Sequence, residues 1–267
     1  MTVLMQISDP HFGTQQPTVV EALVALAQHQ RPHLVVLSGD ITQRAQAAQF
    51  HAARAFTDRL GAPLLAIPGN HDISLFNLWA RWHHPYARHC AAFGADLEPV
   101  FRSADLLVIG VNITRAYRHE NGEVSPAQVE RVASLLQGAT AAQLRVVVVH
   151  QPIAVQRAED VKNLLRGHAA AQQAWARAGA DVVMGGHIHL PYILPLPGLA
   201  RAMWAVQAGT AVSSRVRAGA PNSVNLLRWQ SGERSCQVEQ WNFAADAGVF
   251  VCAKVTTLLV DRGLNAG

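Results

Sequence analysis

Cysteine is scarce: Cys90, Cys236 and Cys252 are the three in 267 residues, far apart, and none lies in a Cys-x-x-Cys pair. An odd, scattered set argues against a disulfide framework and a thiolate zinc site, and it suits free thiols in a reducing compartment. Charge is also sparse, with 15% Asp, Glu, Lys and Arg and a mean hydropathy of +0.10. A disordered chain needs the reverse, low hydrophobicity and high net charge. No block of five or more like charges occurs, so the net charge of +4 and isoelectric point near 9.3 are weak arguments for a nucleic-acid partner. The longest apolar runs, such as 146–149, fall far short of the ~20 residues of a membrane-spanning helix. The first Lys or Arg is Arg31, and Asp9 and His11 interrupt the opening apolar stretch, so the parts of a secretory signal are missing. The expectation is a cytoplasmic protein with no membrane partner. At this length and 50% hydrophobic content, one domain spanning 1–267 with a substantial core is expected.

What is present is an alternation of short β-branched runs with longer alanine-rich stretches, the pattern of a layered α/β arrangement. Strands are expected at 3–7, 34–37, 63–67, 106–111, 145–149 and 181–184, and helices at 19–29, 45–60, 75–92, 126–136 and 164–178. The helix at 126 has the clearest start: Ser125 as N-cap, Pro126 at the first helical position and Gln128 three residues after the cap. Beyond Met184, Pro191, Pro195 and Pro197 crowd an expected loop. Strand-like runs at 201–206, 223–229 and 236–243 are then expected to complete a second sheet from about residue 198.

Five of the six early strands run directly into Asp or His: Asp9-Pro10-His11, Gly39-Asp40, Gly69-Asn70-His71-Asp72, His150, and Gly186-His187-Ile188-His189. Open α/β sheets bind ligands beyond the carboxyl ends of their strands, so these groups should converge. Imidazole, carboxylate and amide oxygen without thiolate suit Mn, Fe, Zn or Co. Asp9, His11, Asp40, Asn70, His150, His187 and His189 are too many donors for one tetrahedral ion, and they suit two ions sharing a bridging carboxylate. Two such ions ~3.5 to 4 Å apart activate water and stabilise in-line phosphoryl displacement. His187 and His189, one residue apart, would share a face of an extended segment.

This ordered series resembles the calcineurin-like metallophosphoesterase family over residues 3 to about 190. The resemblance implies a two-sheet β-sandwich flanked by helices, with metals at the strand ends. It implies one metal held by Asp9, His11 and His189, a second by Asn70, His150 and His187, and Asp40 bridging both. It also makes His71 a non-ligand that contacts substrate and protonates the leaving oxygen. Family protein phosphatases continue toward Asp-Arg-Gly and carry Gly-Asn-His-Glu, whereas Asp40 here precedes Ile41-Thr42-Gln43-Arg44 and His71 precedes Asp72. Lipid-A-pathway pyrophosphatases have Arg in place of His71, and the nuclease branch needs more chain after His189. The chain resembles bacterial class III cyclic-nucleotide and glycerophosphodiester phosphodiesterases. A small phosphodiester substrate is therefore expected, with 3′,5′-cyclic nucleotides first, nucleic acid disfavoured, and a homo-oligomer left open.

Around this set the expectations are structural. Asp72 is expected to cap a helix starting near Ser74, with orienting His71 as the alternative. His29, His33, His51, His83, His84, His89, His119 and His168 should mostly lie at the surface. The cluster containing Trp79, Arg81, Trp82 and Tyr86 is expected to pack as a core helix, with a substrate-pocket wall as the alternative. Arg115, Tyr117, Arg118 and His119 are expected in a solvated loop, with reaching the substrate pocket as the alternative. Gln151 stands where some relatives carry a second His, and the spacing of Gly209 through Arg215 reveals no role.

Overall fold

Strand β1 (Thr2–Ile7) sends Val3, Met5 and Ile7 to one side and Leu4 to the other, the period-two alternation of a strand. On the first side these residues pack against helices α1 (Pro17–Gln30) and α2 (Ala47–Asp58), through Val20, Leu23 and Ala27 of one and Ala53 and Phe56 of the other. The same alternation recurs in β2 (Leu34–Ser38), whose Val35 and Leu37 face the helices while Leu34 and Val36 face inward. The computed structural model describes residues 1–75, 77–118 and 120–261 of the chain. His119 lies outside the described residues.

After β3 (Leu64–Ile67), the chain forms α3 (Leu78–His83), α4 (Ala87–Phe93), β4 (Val100–Arg102), β5 (Leu106–Gly110), α5 (Pro126–Gln137), β6 (Leu144–Val148), α6 (His168–Ala178) and β7 (Val182–Gly185). It ends with β8 (Tyr192–Pro195), β9 (Trp204–Gln207), β10 (Ser223–Trp229), β11 (Ser235–Ala244) and β12 (Val249–Leu259). Two six-stranded sheets result, ordered β12-β11-β10-β1-β2-β3 and β4-β5-β6-β7-β9-β8. Leu34, Val36 and Ile67 of the first sheet meet Val108, Val146, Val148 and Met184 of the second in the middle layer. On the far face, Leu107, Ile109, Val147 and Val183 pack on Val132 and Leu136 of α5 and Trp175 of α6. This is the helix-sheet-sheet-helix order that the resemblance implies. Each fully buried aliphatic side chain contributes roughly 1.5 to 3 kcal/mol. A one-residue slip in any of these strands would exchange its two faces, so burial pins the register.

Several expected elements differ. The helix expected at 75–92 divides into α3 and α4, because Pro85 forces His84 out of helical geometry, to φ −142° and ψ 57°. The helix expected from 164 begins at His168, since Gly167 takes a left-handed φ of 86°. The proline-rich stretch expected as a loop contains β8, which pairs only with β9 at the sheet edge, where a missing N–H is tolerated. The segment from about 198 does not go to one sheet: β9 joins the second, while β10 pairs antiparallel with β1 and β11 and β12 extend the first sheet beyond it, each antiparallel to its neighbour. The Ser125 cap forms as expected, with Ser125 Oγ accepting from Gln128 N at 3.2 Å and Gln128 Oε1 accepting from Ser125 N at 3.0 Å.

Candidate metal centre

Strands β1, β2 and β3 lie parallel in one sheet, and β6 and β7 lie parallel in the other. Their carboxyl ends therefore deliver Asp9 and His11, Asp40, Asn70 and His71, His150, and His187 and His189 to one place between the sheets. Backbone bonds lace these loops together: Asp9 N to Gly39 O at 3.1 Å, His11 N to Asp40 O at 3.1 Å, and Gly186 N to His150 O at 2.8 Å. Across the sheets, the Asp9 carboxylate accepts His187 N–H at 3.0 and 3.1 Å. The approach is so close that a Cβ at Gly69 would overlap the Asp40 backbone nitrogen, and one at Gly186 would overlap Ser8 Oγ.

The backbone is strained where the polar groups meet. Asp9, His11, Asp40, His187 and His189 all have positive φ, between 42° and 72°. Such conformations cost of order 1 to 3 kcal/mol each and persist where the surroundings enforce them. His187 and His189 are thus not on an extended segment, as their spacing suggests. Left-handed turns aim them at separate groups: Asp9 with His11 and His189, and Asp40 with His150 and His187, each with donor atoms within 4.8 Å of one another.

The Asp40 carboxylate stands between the groups. Its Oδ1 lies 3.2 Å from His150 Nε2 and its Oδ2 3.7 Å from His11 Nε2. His189 Nε2 lies 3.3 Å from Asp9 Oδ1 and 3.1 Å from His11 Nε2. The opposite ring atoms are anchored: His150 Nδ1 donates to Ser38 O at 2.9 Å and His189 Nδ1 to Arg215 O at 2.6 Å. Such bonds fix tautomer and ring direction, presenting Nε2 to the centre. Asn70 Oδ1 and His187 Nδ1 are buried without a hydrogen-bond partner among the described residues, an arrangement costly unless a cation satisfies them.

Electrostatics agree with that donor set. Burial pushes the Asp40 carboxyl up, but His150 and His71 beside it outweigh this and hold it well below the usual range. For Asp9, burial is likewise outweighed, by His189, and its carboxyl sits at about 2. Burial lowers His11 to about 3 and His187 to about 4, so both imidazoles keep a lone pair for a metal. His150 goes the other way, to about 9, because Asp40 outweighs its burial. His189 is raised as well, since Asp9 outweighs its burial. Two buried carboxylates thus stand among two imidazoles held neutral, two that share their negative charge, and an amide, a donor set that suits divalent cations.

The surrounding residues divide clearly. His71 Nδ1 donates to Gln43 O at 3.0 Å, its backbone N–H donates to Asp40 Oδ1 at 2.9 Å, and its ring meets His11 edge-on at 4.9 Å. Asp72 is not the cap of a helix near Ser74. Its carboxylate accepts the N–H groups of Gly69, Ile41 and Thr42 and the Thr42 hydroxyl, at 2.8 to 3.0 Å, tying the loop after β3 to the loop after β2. Gln151 points away from the centre and donates to Glu120 O at 2.6 Å. Neither alternative for the aromatic cluster holds as a whole: Trp79 and Trp82 are 66% and 63% exposed, while Tyr86 donates to Thr114 O. Trp79 borders a cavity of about 230 Å³ shared with Asp72, Ser74, His84, Pro85 and Arg88. Arg81 donates to the carbonyls of Ser74 and Arg118, and Arg115 to those of Asn112 and Thr114. His89, expected at the surface, is 1% exposed. Arg215 reaches the centre unheralded, because no local spacing ties it to the strand-end series.

A two-sheet sandwich with a carboxylate-imidazole cluster at its strand ends defines a class of metal-dependent phosphoester hydrolases. The chain belongs to the calcineurin-like phosphoesterase family, whose profile matches residues 2–191. It is 37% identical over 83 residues to the glycerophosphodiester phosphodiesterase GpdQ of Enterobacter lignolyticus, a match covering 26% of this chain and 29% of that protein. Among solved structures, a dimetal phosphatase from Danio rerio superposes with a TM-score of 0.69 at 12% identity, covering 97% of this chain and 99% of the other. The purple acid phosphatase PPD1 of yellow lupin superposes with a TM-score of 0.68 at 11% identity, covering 97% and 54%. At such identities these structures support the fold alone. The family and the Asp/His clusters suit a dinuclear metal site. Among the described residues, no helix is long and apolar enough to cross a membrane.

Proposed function

We propose that the chain, acting as one domain over 1–267, is a dinuclear metal-dependent phosphodiesterase for small phosphodiesters. The observation that carries this reading is the convergence of Asp9, His11, Asp40, Asn70, His150, His187 and His189, with Asn70 Oδ1 and His187 Nδ1 buried and unpartnered among the described residues. In this reading Asp9, His11 and His189 would hold one ion, Asn70, His150 and His187 would hold the other, and Asp40 would be the ligand common to both. When bound, the pair supplies Lewis acidity and a lowered pKa for water. The chain's own residues do the rest. Ser38 and Arg215 carbonyls hold His150 and His189 in the ligating tautomer. The Gln43 carbonyl holds the His71 ring by Nδ1, so that Nε2 faces the centre, where a proton can pass to the leaving alkoxide.

Among small diesters, the name of the GpdQ relative supports a glycerophosphodiester. A 3′,5′-cyclic nucleotide, first in the sequence reading, is placed second. The proposed base-stacking wall is not assembled, since Trp82 faces solvent and Tyr86 is engaged with Thr114. The decisive experiment is metal analysis after Mn reconstitution, combined with hydrolysis of bis(p-nitrophenyl) phosphate. A substrate panel follows, comprising glycerophosphoethanolamine, cyclic AMP, cyclic GMP, single-stranded DNA and a phosphopeptide. Two ions per chain and turnover of a small diester are expected. Fewer than two ions with no turnover would instead identify a silent scaffold, and preference for the phosphopeptide would overturn the diesterase reading.

A further inference from the structure

Arg215 lies in the loop between β9 and β10, and its backbone is held on both sides. Its N–H donates to Ser213 Oγ at 3.0 Å, while its carbonyl accepts from Thr210 Oγ1 at 3.1 Å and His189 Nδ1 at 2.6 Å. Orienting His189 is thus the work of the main chain, and the side chain has a separate position. The guanidinium crosses to the other side of the cluster, with Nη1 3.1 Å from Gln43 Oε1, 3.3 Å from His71 Nε2 and 3.4 Å from His11 Nδ1.

None of those neighbours is a carboxylate, and no carboxylate pairs with Arg215 among the described residues. Two positions on, Arg217 is tied to Asp160 at 2.9 Å and Glu159 at 2.6 Å. Only Nη1 of Arg215 is engaged; Nη2 and Nε have no hydrogen-bond partner among the described residues. That leaves one edge of the guanidinium fork open, the planar two-donor geometry that matches two oxygens of a phosphate.

We propose that Arg215 binds the non-bridging oxygens of the substrate phosphate through its Nε and Nη2 edge, with Gln43 steadying Nη1. The assignment rests on the phosphoesterase reading above. Held beside His71 Nε2, the guanidinium fixes the phosphate against the leaving-group side and stabilises charge that grows on its oxygens during displacement.

The test uses the full chain loaded with Mn, as wild type, Arg215→Met and Arg215→Lys. Three quantities are measured: Mn per chain, calorimetric affinity for inorganic phosphate, and kcat and KM for bis(p-nitrophenyl) phosphate. Arg215→Met should keep its Mn, because the carbonyl on His189 is unchanged, and bind phosphate roughly 10- to 100-fold more weakly. Arg215→Lys should recover only part of this, since an ammonium lacks the fork. Phosphate affinity within threefold of wild type at equal Mn content would overturn the assignment, as would loss of Mn in both variants or no phosphate binding by the wild type. If phosphate binding weakens in Arg215→Met while the wild type hydrolyses no diester, Arg215 stands and the diesterase reading falls. If the wild type turns over a diester and the variant binds phosphate as tightly, the diesterase reading stands and the role of Arg215 falls.

Discussion

His89 carries a stability cost that grows as the pH falls. It sits in α4 between Phe50 and Phe93, with ring centroids 6.2 and 5.5 Å away, and neither Nδ1 nor Nε2 has a partner. Burial alone lowers it from 6.5 to about 4. An unfolded chain takes up the proton near 6.5, so below that pH the unfolded state binds more protons and stability declines until about pH 4. Above 6.5 no such loss exists. At 1.36 kcal/mol per pKa unit, moving from pH 8 to pH 5 should cost about 2 kcal/mol through this one side chain. His89→Phe removes the titration, preserves an aromatic ring of similar size and relieves two unsatisfied nitrogens. Urea unfolding of both proteins at pH 8, 6.5 and 5 in the presence of a chelator isolates the effect, because the other histidines cancel in the difference. The variant should be at least as stable at pH 8 and should gain about 2 kcal/mol on wild type by pH 5. A gap between the two proteins that stays constant with pH, within about 0.5 kcal/mol, would show that His89 does not titrate differently in the folded and unfolded chains.

Asp40→Ala should lose Mn as well as rate, since one oxygen faces His150 and the other His11; full metal content by elemental analysis would remove its bridging role. His71→Ala should retain Mn and lower kcat by ~10²- to 10⁴-fold, the range for a general acid. Loss of metal in that variant would make His71 a ligand instead. Asp72→Ala deletes the acceptor of four hydrogen bonds, three of them from the loop after β2 and one from Gly69 in its own loop. It should destabilise the protein by roughly 2 to 4 kcal/mol in thermal or urea melts; an unchanged melting temperature would show that the tie carries no stability.

The convergence of the polar groups can be read from the sequence because a strand's end is local information. Asp9, Asp40, Asn70, His150 and His187 each follow a short β-branched run, and parallel strands place their carboxyl ends on one side. The strand at 3–7 is equally readable from its apolar run, whereas which of its residues face the helices and which the middle layer appears only on packing. Three-dimensional packing settles what depends on contacts between distant segments. Asp72 reads as a helix cap from its neighbours, yet its partners Ile41 and Thr42 are thirty or so residues away. Arg215 acquires its position only when the loop after β9 folds back 144 residues to reach His71. β10 and β11 read simply as strands, β12 is not among the expected strands, and the place of β10 beside β1 depends on pairing with an edge far back in the chain. His89 looks like any polar residue on a short helix until Phe50 and Phe93 enclose it. Side-chain type and period are properties of a segment, whereas burial, partner and charge environment are properties of a packed chain.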